Sequence, residues 1–137
     1  MVDPSQIPAE SIIHFPDGVP GLDHAKRFVV LKPENLEPVI VLQSLECEHV
    51  SLPAAPVRAV CPDYQLELRK EDRAILGVDE RWDPSSLLCL AVITPGTLKA
   101  PPVCNLFAPI VVNPQKMLGR QVLQIGADYP TVHPLDG

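Results

Sequence analysis

The sequence predicts an all-β protein, mainly antiparallel, folded as a single small closed or nearly closed β-barrel with one short helix. Three observations carry that expectation. The 17 prolines run from Pro4 to Pro134, and the longest gap between them lies between Pro62 and Pro84, so a long helix has no room elsewhere. Between the prolines stand short apolar runs bounded by Asp-Gly, Pro-Gly and Asp-Pro pairs, the punctuation of strands joined by turns. About eight to ten such strands at this spacing suit a barrel. No linker, internal repeat or low-complexity segment divides the chain, so residues 1–137 read as one domain.

Ser11 to Phe15 reads as the first strand. It leads into Pro16-Asp17-Gly18 and Val19-Pro20-Gly21, two tight turns whose glycines tolerate positive φ. Arg27 to Leu31 and Val39 to Gln43 are the second and third strands, with Pro33 and Pro38 bracketing their connection. His49 to Leu52 is a fourth, cut short by Pro53 and Pro56, and Val57 to Val60 continues the sheet. From Tyr64 to Leu68, apolar residues alternate with Gln65 and Glu67, the period of a half-buried strand. The period then changes: Lys70 to Leu76 is rich in helix formers and stops at Gly77, a natural C-cap.

Ser86 to Thr94 is a continuous apolar run that suggests a strand buried on both faces, though its periodicity alone does not exclude a helix, and Pro95-Gly96 ends it. Strands around Leu106 to Val112 and Gln121 to Ile125 complete the set. Pro109 lies inside the first of these and cannot donate to a ladder, which places that strand at an edge or a bulge. An available edge is a natural place to receive a partner chain. Asn105 and Asn113 can hydrogen-bond backbone at the two ends and hold the register. Asn105, Phe107 and Asn113 are therefore candidates to form or support a protein-binding surface; the competing reading places Phe107 in the core.

Charge adds a second bound. Eleven basic against 17 acidic residues give a formal charge of −6, which opposes direct nucleic-acid binding through phosphates. From Pro33 to Val57 there are four glutamates, Glu34, Glu37, Glu46 and Glu48, and no lysine or arginine. Such a stretch is either a solvated acidic face or a surface that steers a basic protein; Glu46 and Glu48 are the candidates for the second role. The N-terminus lacks a basic start followed by an apolar run, and the longest apolar run, Leu87 to Ile93, is too short to span a bilayer. No membrane association is expected, and the protein reads as cytoplasmic and monomeric when free.

Candidate chemistry is sparse. The four cysteines, at 47, 61, 89 and 104, form no CxxC pair, and the four histidines lack ligand spacing, so neither metal nor cofactor is expected. Cys47 and His49 would share a face on a strand, but a free cysteine is more often structural than nucleophilic. With no nucleophile-elbow, zincin, P-loop or dinucleotide fingerprint either, the chain does not read as an enzyme. Trp82, the lone tryptophan, is expected to cover one end of the barrel, with an exposed binding anchor as the alternative.

Four segments in order resemble the bacterial flagellar assembly factor family FliW. Phe15-Pro16-Asp17-Gly18-Val19-Pro20-Gly21-Leu22 is similar to that family's Phe-Pro-x-Gly-x-Pro-Gly-Phe loop. Leu42-Gln43-Ser44-Leu45-Glu46 and Pro62-Asp63-Tyr64 resemble two further stretches, and Asn105 to Asn113 with Gly119-Arg120-Gln121-Val122 resembles the C-terminal signature. The chain departs from the pattern at Leu22, where an aromatic is usual, and across His49 to Pro53, where the family often carries phenylalanine. The resemblance implies a non-enzymatic regulator that binds the RNA-binding translational repressor CsrA and relieves its repression of flagellin synthesis. It also implies binding to flagellin itself, so that export of flagellin frees the antagonist. The alternative from the residues alone is a small acidic β-barrel that binds a small ligand or serves as a subunit of a larger assembly.

Overall fold

A computed structural model describes residues 7–19 and 25–135. The second turn of the first loop, at Pro20-Gly21, and the departure at Leu22 lie outside them. In chain order the strands are β1 (Ile13–His14), β2 (Arg27–Leu31), β3 (Ile40–Ser44), β4 (Ser51–Pro56), β5 (Leu88–Thr94), β6 (Val103–Asn113), β7 (Leu118–Gln121) and β8 (His133–Pro134). Two short helices, α1 (Val57–Val60) and α2 (Lys70–Leu76), lie between β4 and β5.

β1 to β7 close into a seven-stranded barrel in sequence order, and β8 adds to the first residues of β6. All neighbours are antiparallel except β7 and β1, which meet in parallel through His14 and Leu118. The parallel seam is a matter of parity: an odd ring of alternating strands must contain one pair that runs the same way. Phe15, Phe28, Leu42, Leu90 and Ile110, each at most 1% exposed, fill the interior. Phe15 meets Phe28 edge-on, with ring centroids 5.1 Å apart. The outside carries two more apolar clusters. Ala91, Ile93, Cys104 and Leu106 are covered by Val57 and Tyr64, and Val111 and Val122 are covered by Leu68, Leu76 and the half-buried Trp82. Trp82 is thus a cover, as expected, although it lies over the wall of the barrel.

Much of the expected order holds. β2 spans Arg27–Leu31 as anticipated, and α2 spans Lys70–Leu76 and ends at Gly77 with φ of +74°, a left-handed position that favours glycine. Other expectations are corrected. Val57 to Val60 is helical, so the chain leaves the sheet at Pro56. Tyr64 to Leu68 shows the anticipated alternation of burial but belongs to no strand. Its backbone is paired by side chains instead: Gln65 N–H donates to Tyr129 Oη, and Glu67 exchanges bonds of 2.8 and 2.9 Å with the Gln124 amide.

β4 runs through Pro53 rather than stopping there. Ser44 N–H donates to Val50 O at 3.0 Å, and hydrogen-bonded pairs alternate along an antiparallel ladder. Val41 and Pro53 therefore form a pair that exchanges no bond. The missing donor of Pro53 faces the β5 side, where the ladder starts only at Ala54 and Val92.

β6 is not an edge strand, since it pairs with β5 along one side and with β7 and β8 along the other. The bulge half of the expectation is what the structure shows. Leu90 pairs with Ile110 and Val92 with Asn105, two steps on β5 against five on β6, which leaves three β6 residues without a counterpart. An odd insertion reverses the faces. Cys104 and Leu106 consequently point to the outer cluster, whereas Ile110 and Val112 point inward. Pro109 offers only its carbonyl, which accepts from Val122 N–H at 2.9 Å, and Phe107 O accepts from Gln124 N–H at 2.8 Å. The expected strand from Gln121 to Ile125 is thus shifted: the regular ladder is β7, and residues 122–124 continue beside the bulge with one-sided bonds.

Candidate partner-binding surface

The β3–β4 connection carries the acidic candidates, and its polar residues brace one another. Gln43 Nε2 donates to the carbonyls of Ser44, Glu48 and Val50 at 3.1, 3.3 and 3.2 Å. Ser44 Oγ accepts from the N–H groups of Glu46 and Cys47. Glu46 Oε1 accepts from the N–H groups of Lys26 and Arg27 at 3.0 and 2.9 Å, while Oε2 takes the Arg27 guanidinium. Desolvation alone would raise the Glu46 carboxyl, but the bonds from Arg27 and Lys26 outweigh it and hold the group below the usual carboxylate range. The charge of Glu46 is therefore spent on tying this loop to β2. Glu48 is different: its side chain is 58% exposed and 4.0 Å from the still more exposed His49. Cys47 lies beside them, half-buried, with a free thiol.

The β6 candidates lie elsewhere in the ladder. Asn105 Oδ1 accepts from the N–H groups of Phe107 and Ala108, both at 3.0 Å, and so caps the bulge. Asn113 is 4% exposed. Its Nδ2 donates to Leu76 O at 2.8 Å, and its Oδ1 accepts from Gln115 N–H, which joins α2 to the β6–β7 turn. Phe107 is half-buried. Asn105 shares a register row with Val92, Ala54 and Ile40, at the start of β3, whereas Glu46 follows the end of β3. The five candidates are thus two separate sets, one holding the β3–β4 loop and one holding β6.

Sequence reasoning missed a buried ionic cluster. Asp72 of α2 is 0% exposed. Its Oδ2 accepts from Arg69 N–H at 2.9 Å, and its Oδ1 lies 3.4 Å from Arg120 Nε of β7. Arg120 also donates to Glu71 O and approaches Asp17 at 3.7 Å. A signal was present, because Asp72 and Leu76 stand four apart on one helix face, so a carboxylate sat on the apolar stripe. Beside this cluster, a Cβ on Gly119 would fall 2.7 Å from Phe15 Cζ. Phe15 thus requires a glycine at 119, and the first loop and the β7 signature are physically one unit.

Two further features lie outside both sets. Tyr64 stacks on Tyr129 at 4.2 Å and donates its hydroxyl to Leu106 O; burial, helped by nearby Cys89, Tyr129 and Cys61, pushes its pKa well up. A half-open cleft of 480 Å³ lies between α1 and the segment before β5, lined by Val57, Arg58, Leu66, Leu87 and Cys89 among others. Burial pushes the Cys89 thiol up to about 12. Among the described residues no three His, Cys, Asp or Glu side chains cluster as metal ligands would, and no helix is long and apolar enough to cross a membrane.

These contacts define a small closed β-barrel of the loop-braced kind, with its polar signature residues turned to internal support and its loops and one strand end turned to solvent. The FliW protein family model matches residues 2–135. The flagellar assembly factor FliW of Thermotoga neapolitana is 36% identical over 93% of this chain and 85% of its own length. The corresponding factor of Geobacter sulfurreducens is 35% identical over 90% of this chain and 75% of its own. A crystal structure of the flagellar assembly factor FliW superposes with a TM-score of 0.85 at 28% identity, covering 96% of this chain and 90% of that one. The chain belongs to the FliW family of flagellar assembly factors.

Proposed function

We propose that this chain is a flagellar assembly factor that binds the translational regulator CsrA as an antagonist and also binds flagellin, acting in the cytoplasm by partner switching. While flagellin is retained it occupies the factor; once flagellin is exported, the factor captures CsrA and flagellin translation resumes. Family membership supports the general role, and the observation that carries the CsrA arm is the presentation of the β3–β4 loop. Glu48 is held out on a loop locked by Gln43, Ser44 and Glu46, on a chain of formal charge −6. A fixed acidic projection attracts a basic partner and need not touch RNA. In this reading Glu46 positions the loop, Glu48 meets the partner, and Asn105, Phe107 and Asn113 support the surface around β6. The small-ligand alternative loses ground because the barrel interior is filled by Phe15, Phe28 and Leu42.

The test is association with purified CsrA followed by surface plasmon resonance across a salt series. Glu48→Lys should slow association several-fold at low salt, with the difference vanishing at high salt, because screening removes steering. Added flagellin should compete. A wild-type protein that does not bind CsrA would overturn the proposal, and unchanged kinetics for Glu48→Lys would remove Glu48 from it.

A further inference from the structure

The bulge of β6 leaves an unfinished strand on its neighbour. Val122 and Gln124 donate to Pro109 O and Phe107 O, so the N–H groups of the alternate residues point the opposite way. That opposite side is where β1 would lie, but β1 reaches β7 only at Leu118. Among the described residues the N–H groups of Gln121, Leu123 and Ile125 meet no acceptor. Leu123 and Ile125 are also 39% and 63% exposed, while Val122 and Gln124, which alternate with them, are fully buried. Unsatisfied main chain and exposed aliphatic side chains therefore coincide on the same alternate residues.

We propose that residues 121–125 form a strand-addition site that accepts an extended segment of a basic partner protein with aliphatic residues at alternate positions. Only an extended chain offers carbonyls at the two-residue repeat these amides require. The charge of the partner follows from the surroundings. Asp17 shares a surface hollow with Leu123, Glu67 lies against Gly126, and Asp128 is exposed next in the chain. Arg69 and Arg120 border the same hollow, where Arg69 pairs with Glu71 and Asp72 and Arg120 with Asp72 and Asp17, so the carboxylates still outnumber the cations. A second copy of this chain is disfavoured because it would bring another −6. The site is separate in sequence from the Glu48 loop, so it can fail while CsrA capture stands, and the reverse.

The probe is a synthetic peptide alternating lysine with valine, added to the isotopically labelled protein while amide hydrogen exchange is followed by NMR. Exchange at Gln121, Leu123 and Ile125 should slow by about tenfold or more, as it does when exposed amides become hydrogen-bonded. A peptide N-methylated at every valine should give no such protection. In the protein, Leu123→Pro removes a donor the fold does not use, so it should abolish protection at Gln121 and Ile125 and leave the spectrum folded. Absence of protection, protection confined to other residues, or equal binding by the N-methylated peptide would overturn the proposal. A dimer of this chain that Leu123→Pro dissolves would overturn it as well, by assigning the edge to a second copy.

Discussion

Gly119→Ala is the substitution that most directly examines how the first loop and β7 fit together. The new methyl would lie 2.7, 2.9 and 3.0 Å from three ring carbons of Phe15. That ring cannot retreat easily: Phe15 is 1% exposed and rests edge-on against Phe28, itself 0% exposed. Overpacking a filled core costs about 1–3 kcal/mol, and a rigid ring pinned on its far side argues for about 2–3. For a domain of this size that is a fall in melting temperature of roughly 10 °C. The assay is urea unfolding followed by tryptophan fluorescence, with Phe15→Leu and the double variant alongside. Leucine at 15 should make room for the methyl, so the double variant should be more stable than the sum of the singles by about 1 kcal/mol or more. A Gly119→Ala loss under about 0.5 kcal/mol, within the range of ordinary surface changes, would refute the reasoning. Strict additivity would show that the clash is relieved elsewhere.

Two further outcomes follow from buried groups. Asp72→Ala should cost about 2–3 kcal/mol, because it strands Arg120 and the Arg69 N–H together, and Asp72→Asn should cost less by keeping an acceptor for that N–H; equal losses in urea would contradict the division of roles. Cys89 has its thiol raised from 9.0 to about 12 by burial, against a small opposing pull from Arg58. The unfolded chain therefore loses its proton first, and stability that is intact below pH 9 should decline as pH rises toward 12. Cys89→Ser should flatten that decline, and an unchanged slope in alkaline denaturation would disprove it.

The elements legible in the sequence were those whose signals are complete within a few residues. β2 is an apolar run, and α2 carries its helix formers and its terminating Gly77 together. The segment from Tyr64 to Leu68 shows where local reading stops. Its alternation correctly indicated which side chains are buried, but its backbone partners are Gln124 and Tyr129, 57 and 64 residues away. No nearby pattern distinguishes that arrangement from a strand. Val57 to Val60 failed for a related reason, since β-branched residues favour strands until tertiary context overrides them. Pro109 was half legible. A proline inside an apolar run restricts the answer to an edge or a bulge, and only the partners on both sides of β6 decide between them.

The candidate site was less legible than the fold, and the cause lies in what the signature residues do. Gln43, Ser44 and Glu46 lock a loop; Phe15 and Gly119 share one space; Tyr64 ties down Leu106 O; Asn105 caps the bulge of β6 and Asn113 its C-terminal end. Similarity in such residues identifies the scaffold, because each satisfies a buried or backbone group whose loss costs about 1–3 kcal/mol. It carries little information about a partner, for a side chain already committed to the fold has few donors, acceptors or apolar faces left to offer. The groups still free to make contact are those the signatures leave out: Glu48 at the tip of the β3–β4 loop, and Leu123 and Ile125 along the unfinished strand. Partner choice in this chain should therefore respond to substitutions at these three positions without loss of stability, whereas substitutions in the signatures should reduce binding only as far as they unfold the barrel.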